Sequence, residues 1–472
     1  MMSRARRVRT TVVAGLACLA LVAGACSSDD DGDGGDASPS EPEVRVVTLD
    51  GAATDGPAEY DTVTVVQQGP ADAQNVLVLA PGTSAGAGYF LPLGADIVGD
   101  LDDWQVWSIE RRENLLEDHS LVNARKADEV TTEEAFDYYL GWLADDTITD
   151  HFEAPTDEEV AFARDWGMAV AVEDVDVVVQ EAKALGGDVV LGGHSLGGTI
   201  TVAYATWDFD GTPGADNLSG IALIDGGSAG GDPAAVEEAE ADLAEIADGT
   251  PFNDLLGIGL PWAPGVFNVL GSTGVLLEPD APSLGYAFAL LPDDLKPPVA
   301  PTNEGQYGYA IDVDTSPEYL ALVHLDLGEL AESGDPRGWD DNGRVPIRRA
   351  ATMFSGTEGV EGIDGTAWYH PLRLTLDGQS VNGGIPNPAQ EVLGVLAIHG
   401  TDLALPIYAF ETSFGEGRVL NGARLLAEQS EIPEEDLELV EGHDYTHTDP
   451  MGVEADNLLV ETLVPWLRSL GG

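Results

Sequence analysis

Apolar residues in this chain come in short runs, bounded by glycine, proline and acidic residues. Several runs are continuous rather than alternating: Val76-Leu77-Val78-Leu79-Ala80, Val189-Val190-Leu191, Gly220-Ile221-Ala222-Leu223-Ile224 and Val392-Leu393-Gly394-Val395-Leu396-Ala397-Ile398. Runs of this length and content predict strands buried on both faces of a sheet. Further strands are predicted at 44–49, 60–67, 105–109 and 437–440. Between them the spacing turns helical. Thr131 with Glu134, and Thr156 with Glu159, fit capping boxes, and Phe136, Tyr139, Leu140 and Leu143 share one helical face. The stretch 166–185, closed by Gly186-Gly187, predicts a long helix, and 453–470 a final one. Strands alternating with helices predict an α/β fold with a mostly parallel sheet flanked by helices.

One stretch breaks the alternation. About 160 residues separate Asp225 from the run at 392–398. It opens on Asp232-Pro233, a good N-cap and first-turn pair, followed by an amphipathic face of Val236, Ala239, Leu243 and Ile246. Trp262, Phe267, Leu270 and Phe288 come later, in pieces broken by glycine and proline. Residues 229–387 are therefore assigned as a cap or lid insertion, and 44–228 with 388–472 as the core. The insertion's apolar residues have two readings: they cover a substrate, or they pack the cap on itself.

Charge narrows the function. The 472 residues carry 20 basic and 84 acidic side chains, a formal net charge of −64, and only three lysines. This excludes the basic footprint of a nucleic-acid binder and argues against electrostatic docking on anionic lipid. It fits either a surface adapted to high salt or a general acidic compositional bias.

The N-terminus bears on location. Arg4, Arg6, Arg7 and Arg9 precede an uncharged, mostly apolar stretch from Thr11 to Ala25. It is shorter than the roughly 20 residues that span a bilayer as a helix and fits an export signal, residues 1–25. Its end, Val22-Ala23-Gly24-Ala25-Cys26, resembles a bacterial lipobox, with Ala23 where leucine is usual. Cys18 lies inside the signal, so Cys26 would be the lone cysteine of the mature chain, an expected lipid attachment point. Residues 26–43, rich in Ser, Asp, Gly and Pro, read as a flexible acidic tether. The expected location is the extracytoplasmic face of a bacterial membrane, with plain secretion as the alternative.

The chemistry centres on Gly193-His194-Ser195-Leu196-Gly197, which follows a predicted strand and leads into Thr199–Ala205, a stretch able to continue as a helix. Strand, tight turn and helix form the context of a nucleophile elbow. Ile398-His399-Gly400-Thr401-Asp402 and Tyr445-Thr446-His447-Thr448-Asp449-Pro450 complete a pattern that resembles the α/β-hydrolase superfamily of serine esterases and lipases. The resemblance implies Ser195 as nucleophile, Asp402 as acid and His447 as base. Asp225, at the end of another strand, is the second candidate acid, and His443 competes with His447. The Leu196 N–H and the Thr83 N–H, the latter from the loop Pro81–Gly86, are the expected oxyanion donors, with Ser84 the alternative to Thr83. His194 is expected to shape the elbow, and His399 to be a packed histidine. The loop Glu110–Asp118, with Arg111 and Arg112, leaves a strand end and either borders the site or is a salt-bridged turn. His119, His151, His324 and His370 show no metal-ligand spacing, and neither metal nor organic cofactor is implied. The expectation is a lipid-anchored serine hydrolase acting on small-molecule or lipid esters. A peptidase or acyltransferase with the same triad, or a non-catalytic binding protein on this fold, is the alternative.

Overall fold

The computed structural model describes residues 43–228, 235–356, 360 and 362–470. The export segment, Cys26 and all but the last residue of the tether lie outside this range, as do Asp232 and Pro233. No helix among the described residues is long and apolar enough to cross a membrane.

Eight strands form one sheet: β1 (Val44–Asp50), β2 (Thr62–Gln68), β3 (Asn75–Ala80), β4 (Trp104–Glu110), β5 (Val189–His194), β6 (Gly220–Ile224), β7 (Ile407–Thr412) and β8 (Leu437–Gly442). Their order is β1-β2-β4-β3-β5-β6-β7-β8. Only β2 is reversed; every pair from β4 to β8 is parallel. The fold is that of the α/β hydrolases.

Side-chain alternation along each strand splits the core in two. In β3, Val76, Val78 and Ala80 face one side, Leu77 and Leu79 the other. In β7, Ile407 and Ala409 oppose Tyr408 and Phe410 in the same way. α1 (Leu91–Asp100) contributes Leu93 and Ile97 to the second side. α2 (Thr132–Tyr139) starts at the Thr131–Glu134 capping box, whose two reciprocal hydrogen bonds both form. α3 (Met168–Lys183) and α4 (Leu196–Ala205) bury Val172, Val175, Val179, Ile200 and Ala203 on the first side.

The insertion carries α5 (Val236–Asp248) and α6 (Ile347–Ser355) among other helical pieces, and α7 (Pro388–Leu393) follows it at the return to the core. It does not pack on itself alone. Phe252, Trp262, Val269, Trp368 and Tyr369 join Phe136, Tyr139, Phe152 and Trp166 in one aromatic cluster. Tyr307, Ile311, Met353 and Phe354 join the core side that holds α1. α8 (Arg418–Ser430) and α9 (Leu458–Leu470) then close the two faces of the sheet.

Two expected elements differ. The run 392–398 is not a strand: Asn387 caps α7 in a capping box with Gln390, Pro388 opens the helix, and Gly394 ends it in the left-handed conformation. The strand in that place is β7, directly after Pro406. The Thr156–Glu159 hydrogen bonds form, but they lead into a turn and a short 3-10 helix at Ala161–Asp165, not an α-helix.

The loop after β4 is tied to α3 through Arg112. Its Nε and Nη2 donate to the two oxygens of Asp174 at 2.9 and 2.6 Å, and Nη2 also donates to Ala52 O. Burial pushes the Asp174 carboxyl up, an effect that Arg112 offsets only in part. Asp174→Ala would leave a buried guanidinium with only one carboxylate contact, the longer one of its Nη1 to Asp61 Oδ1 at 3.3 Å. Urea denaturation is expected to show a loss of about 3–5 kcal/mol. A loss under about 1 kcal/mol, the surface-pair range, would contradict this account of the pair.

Candidate active site

Ser195 stands between β5 and α4 with φ 56° and ψ −122°, a strained conformation for a residue with a side chain. The turn is possible because its neighbours lack side chains. A Cβ on Gly193 would run into the backbone of Gly197, and one on Gly197 into the carbonyl of Ala80. Leu196 is the first residue of α4, so its N–H has no acceptor within the helix.

His447 lies on the loop after β8 and is buried. Its Nδ1 donates to Asp225 Oδ2 at 2.6 Å. Asp225 follows β6, and the Thr412 N–H at the end of β7 donates to its Oδ1 at 2.8 Å; the Thr412 hydroxyl donates to Oδ2. Burial alone would raise the Asp225 carboxyl, but the His447 imidazole and Thr412 outweigh it and hold it below the ordinary carboxylate range. Ser195 and His447 line one cleft, together with Gly82, Thr83, Ser84, Tyr89, Leu322, Val323 and Phe354. A second, open cavity meets Ser195 from the side of Asp225, Phe414 and Val419.

The expected acid is corrected. Asp402 is on the surface, its side chain 55% exposed, and its Oδ2 accepts from His399 Nδ1 at 2.7 Å. That hydrogen bond holds the Asp402 carboxyl low. The carboxylate that meets His447 is Asp225. His443 is also set apart, its side chain 54% exposed and 3.4 Å from Glu411 Oε1. Ser195, Thr83 and His447 line the same cleft, and Leu196 follows Ser195 at the start of α4.

Three supporting groups complete the geometry. His194 Nε2 donates to the backbone carbonyl of His447 at 2.9 Å, so its Nδ1 accepts from the Tyr89 hydroxyl at 3.0 Å. Burial, with the nearby His447 charge, pushes His194 down to about 3, so it stays neutral and keeps this tautomer. The His447 ring lies between His194 and Phe414, with ring centroids 4.4 and 4.5 Å away. Arg111 Nη1 donates to the carbonyls of Pro81 and Gly82, both at 3.0 Å, and its Nε to Glu113 at 2.6 Å. The charged loop thus borders the site and is also a buried ion pair. Nothing in the sequence marked Tyr89, whereas Arg111 was visible as a cation leaving a strand end.

The insertion is fastened to the same loops. The Thr446 hydroxyl donates to His324 O at 2.7 Å, the Thr448 hydroxyl to Leu322 O at 2.8 Å, and Asp326 N to Asp449 Oδ1 at 2.8 Å. On the other side, Ala367 N donates to Ser84 O, Gly86 N to Gly365 O and Gly88 N to Asp364 O. His194, Asp225 and His447 also bring metal-ligand atoms within 4.8 Å of one another. Both His194 nitrogens and His447 Nδ1 are already engaged, by the His447 carbonyl, Tyr89 and Asp225.

No family profile matches the chain, and no curated protein matches it. Solved structures do align over most of its length. A protein from Sulfolobus solfataricus assigned as a lipase is 15% identical, with a TM-score of 0.48, over 91% of this chain and 95% of its own. Monoglyceride lipase from Saccharomyces cerevisiae is 12% identical, with a TM-score of 0.37, over 92% and 97%. Epoxide hydrolase A from Mycobacterium thermoresistibile is 14% identical, with a TM-score of 0.40, over 90% and 98%. Likeness at this level identifies no substrate and no reaction; the fold assignment rests on the strand order.

Proposed function

We propose that this protein is a serine hydrolase that cleaves carboxylic esters through an acyl-enzyme, with Ser195, His447 and Asp225 as its triad. The observation that carries this reading is the strained Ser195 elbow opening into the same cleft as a histidine whose Nδ1 is held by a buried carboxylate. With its proton fixed on Nδ1, His447 offers a free Nε2 lone pair as base for the Ser195 hydroxyl. The hydroxyl oxygen attacks the acyl carbonyl, and His447 returns the proton to the leaving alkoxide. A water then repeats the sequence and releases the acid. Asp225 keeps the tautomer and stabilises the imidazolium.

The oxyanion would be met by the Leu196 and Thr83 N–H groups. Arg111 supports the second. In a trans peptide the N–H points opposite the preceding C=O. By holding the Gly82 carbonyl, the guanidinium aims the Thr83 N–H away from itself. A Cβ on Gly82 would stand 3.1 Å from the Ser195 Cβ, so the loop lies against the nucleophile.

The substrate reading follows from the lining. Leu322, Val323 and Phe354 on one side, and Leu223, Phe414 and Val419 on the other, favour an apolar acyl chain over acetate. Each methylene buried contributes roughly 0.8 kcal/mol, so lengthening acetyl to butanoyl should raise kcat/KM by about ten-fold. A p-nitrophenyl ester series from acetyl to decanoyl tests this. A maximum at acetyl with a steep fall beyond it would refute an apolar acyl site.

Lipid anchoring at Cys26 on the extracytoplasmic face is proposed from the sequence alone. Cys26→Ser is expected to move the protein from the membrane fraction to the soluble one with ester hydrolysis unchanged. A mature N-terminus with an unmodified cysteine in mass spectrometry would count against it.

A further inference from the structure

Away from the Ser195 cleft, the loop after β4 and the insertion bury a second group of ionisable side chains. Glu117 Oε2 and Asp364 Oδ2 each lie 3.1 Å from His119 Nε2. The Glu117, Asp364 and His119 side chains are 1%, 2% and 12% exposed. All three ligand-type atoms fall within 4.8 Å of one another.

Hydrogen bonding alone leaves this group incomplete. An imidazole Nε2 carries at most one proton, and here it is directed at Asp364. Glu117 Oε2 is left with the ion-pair contact to that ring nitrogen and no further hydrogen-bond donor among the described groups. The other carboxylate positions are occupied. Glu117 Oε1 accepts from Trp368 N at 2.8 Å, and Asp364 Oδ1 from Thr366 N and its hydroxyl at 2.7 and 3.0 Å. Asn268 donates to Asp364 Oδ2, and the Trp368 ring packs edge-on against His119 at 5.6 Å. Each carboxylate is oriented by an outer partner while one oxygen is turned toward the imidazole, as in the supported ligand sets of metal sites.

We propose that Glu117, His119 and Asp364 bind one divalent transition-metal ion of the zinc type. Two carboxylate oxygens and one imidazole nitrogen suit Zn²⁺ and its neighbours rather than the all-oxygen shells of Ca²⁺ or Mg²⁺. A tetrahedral ion with bonds of about 2.0–2.2 Å sets its ligand atoms roughly 3.3–3.6 Å apart, close to the 3.1 Å that separates each carboxylate oxygen from His119 Nε2. Once Nε2 has given up its proton to solvent, two carboxylates and a neutral imidazole carry a charge of −2, which such an ion cancels. Sequence spacing hid the set, because Glu117 and His119 are local whereas Asp364 comes from the far end of the insertion. The ion would join the core loop to the segment 364–367, which is hydrogen-bonded along the Ser84–Gly88 loop.

The test uses the full chain, stripped with a chelator and titrated with Co²⁺ in excess Mg²⁺ to occupy surface carboxylates. One equivalent of Co²⁺ should give visible d–d absorption, and the thermal midpoint should rise on the order of 5 °C. Zn²⁺ should displace the band. His119→Gln and Asp364→Asn should each abolish the band and the thermal response, while His399→Gln should keep both. No band in the stripped protein, or a band that survives in both variants, would overturn the site. Should the variants fail to fold, X-ray absorption of the Zn²⁺-loaded wild type decides: one nitrogen ligand among oxygens supports the site, and an oxygen-only shell refutes it.

Discussion

Ser195→Ala is expected to lower kcat for ester hydrolysis by about 10⁶-fold and to abolish labelling by a fluorophosphonate probe, with His447→Ala nearly as severe. The two losses should not add, because nucleophile and base act as one unit: without the base, the hydroxyl keeps its proton at the moment of attack. The residual rate in either variant would come from the oxyanion donors and substrate binding alone. Steady-state kinetics on a p-nitrophenyl ester, with circular dichroism to show that the variants fold, measures this. Wild-type turnover in Ser195→Ala would end the serine-hydrolase reading.

Asp225→Asn is expected to reduce kcat by about 10⁴-fold, while Asp402→Asn stays near wild type. An asparagine at 225 can present its NH₂ to His447 Nδ1. The ring proton then moves to Nε2, where the serine proton must be accepted. Asp402 meets only His399 and Thr401, at the surface. The reverse pattern, with Asp402→Asn crippled and Asp225→Asn intact, would overturn the assignment. The depressed Asp225 carboxyl also has a sign in stability. The unfolded chain's aspartate titrates near 3.9. The stabilisation from ionised Asp225 is therefore fully present above about that pH and is lost as pH falls through the lower folded value.

The centre of the sheet was legible because its inner strands are buried along nearly their whole length, as the apolar runs 76–80 and 189–191 are. The elbow was legible for a related reason, since few sequences place glycine on both sides of a serine between a strand and a helix. The acid was misjudged through β7. Ile407-Tyr408-Ala409-Phe410-Glu411-Thr412 ends in a buried glutamate and follows Pro406, and it was overlooked in favour of the more aliphatic run at 392–398. The Asn387–Gln390 capping box was the signal that this run begins as a helix. Once β7 is in place, β6 ends beside it, and Asp225 is the carboxylate that Thr412 can hold. The aromatic residues of the insertion showed only that something would be covered. Much of what Trp262 and Trp368 cover is the helical excursion after β4, a pairing of segments too distant for any local pattern to reveal.

The hydrogen bonds that join Thr446, Thr448 and Asp449 with the stretch 322–326 make the roof of the cleft and the base of the proposed triad one mechanical piece. A cap that lifted there like a hinged door would pull His447 out of register with Ser195, and an open enzyme would be a disarmed one. On the proposed function, the flank by Phe414 and Val419 offers a substrate the route that leaves those bonds in place, because the second cavity meets Ser195 there. Mutations that loosen the roof would cost turnover before they gained access.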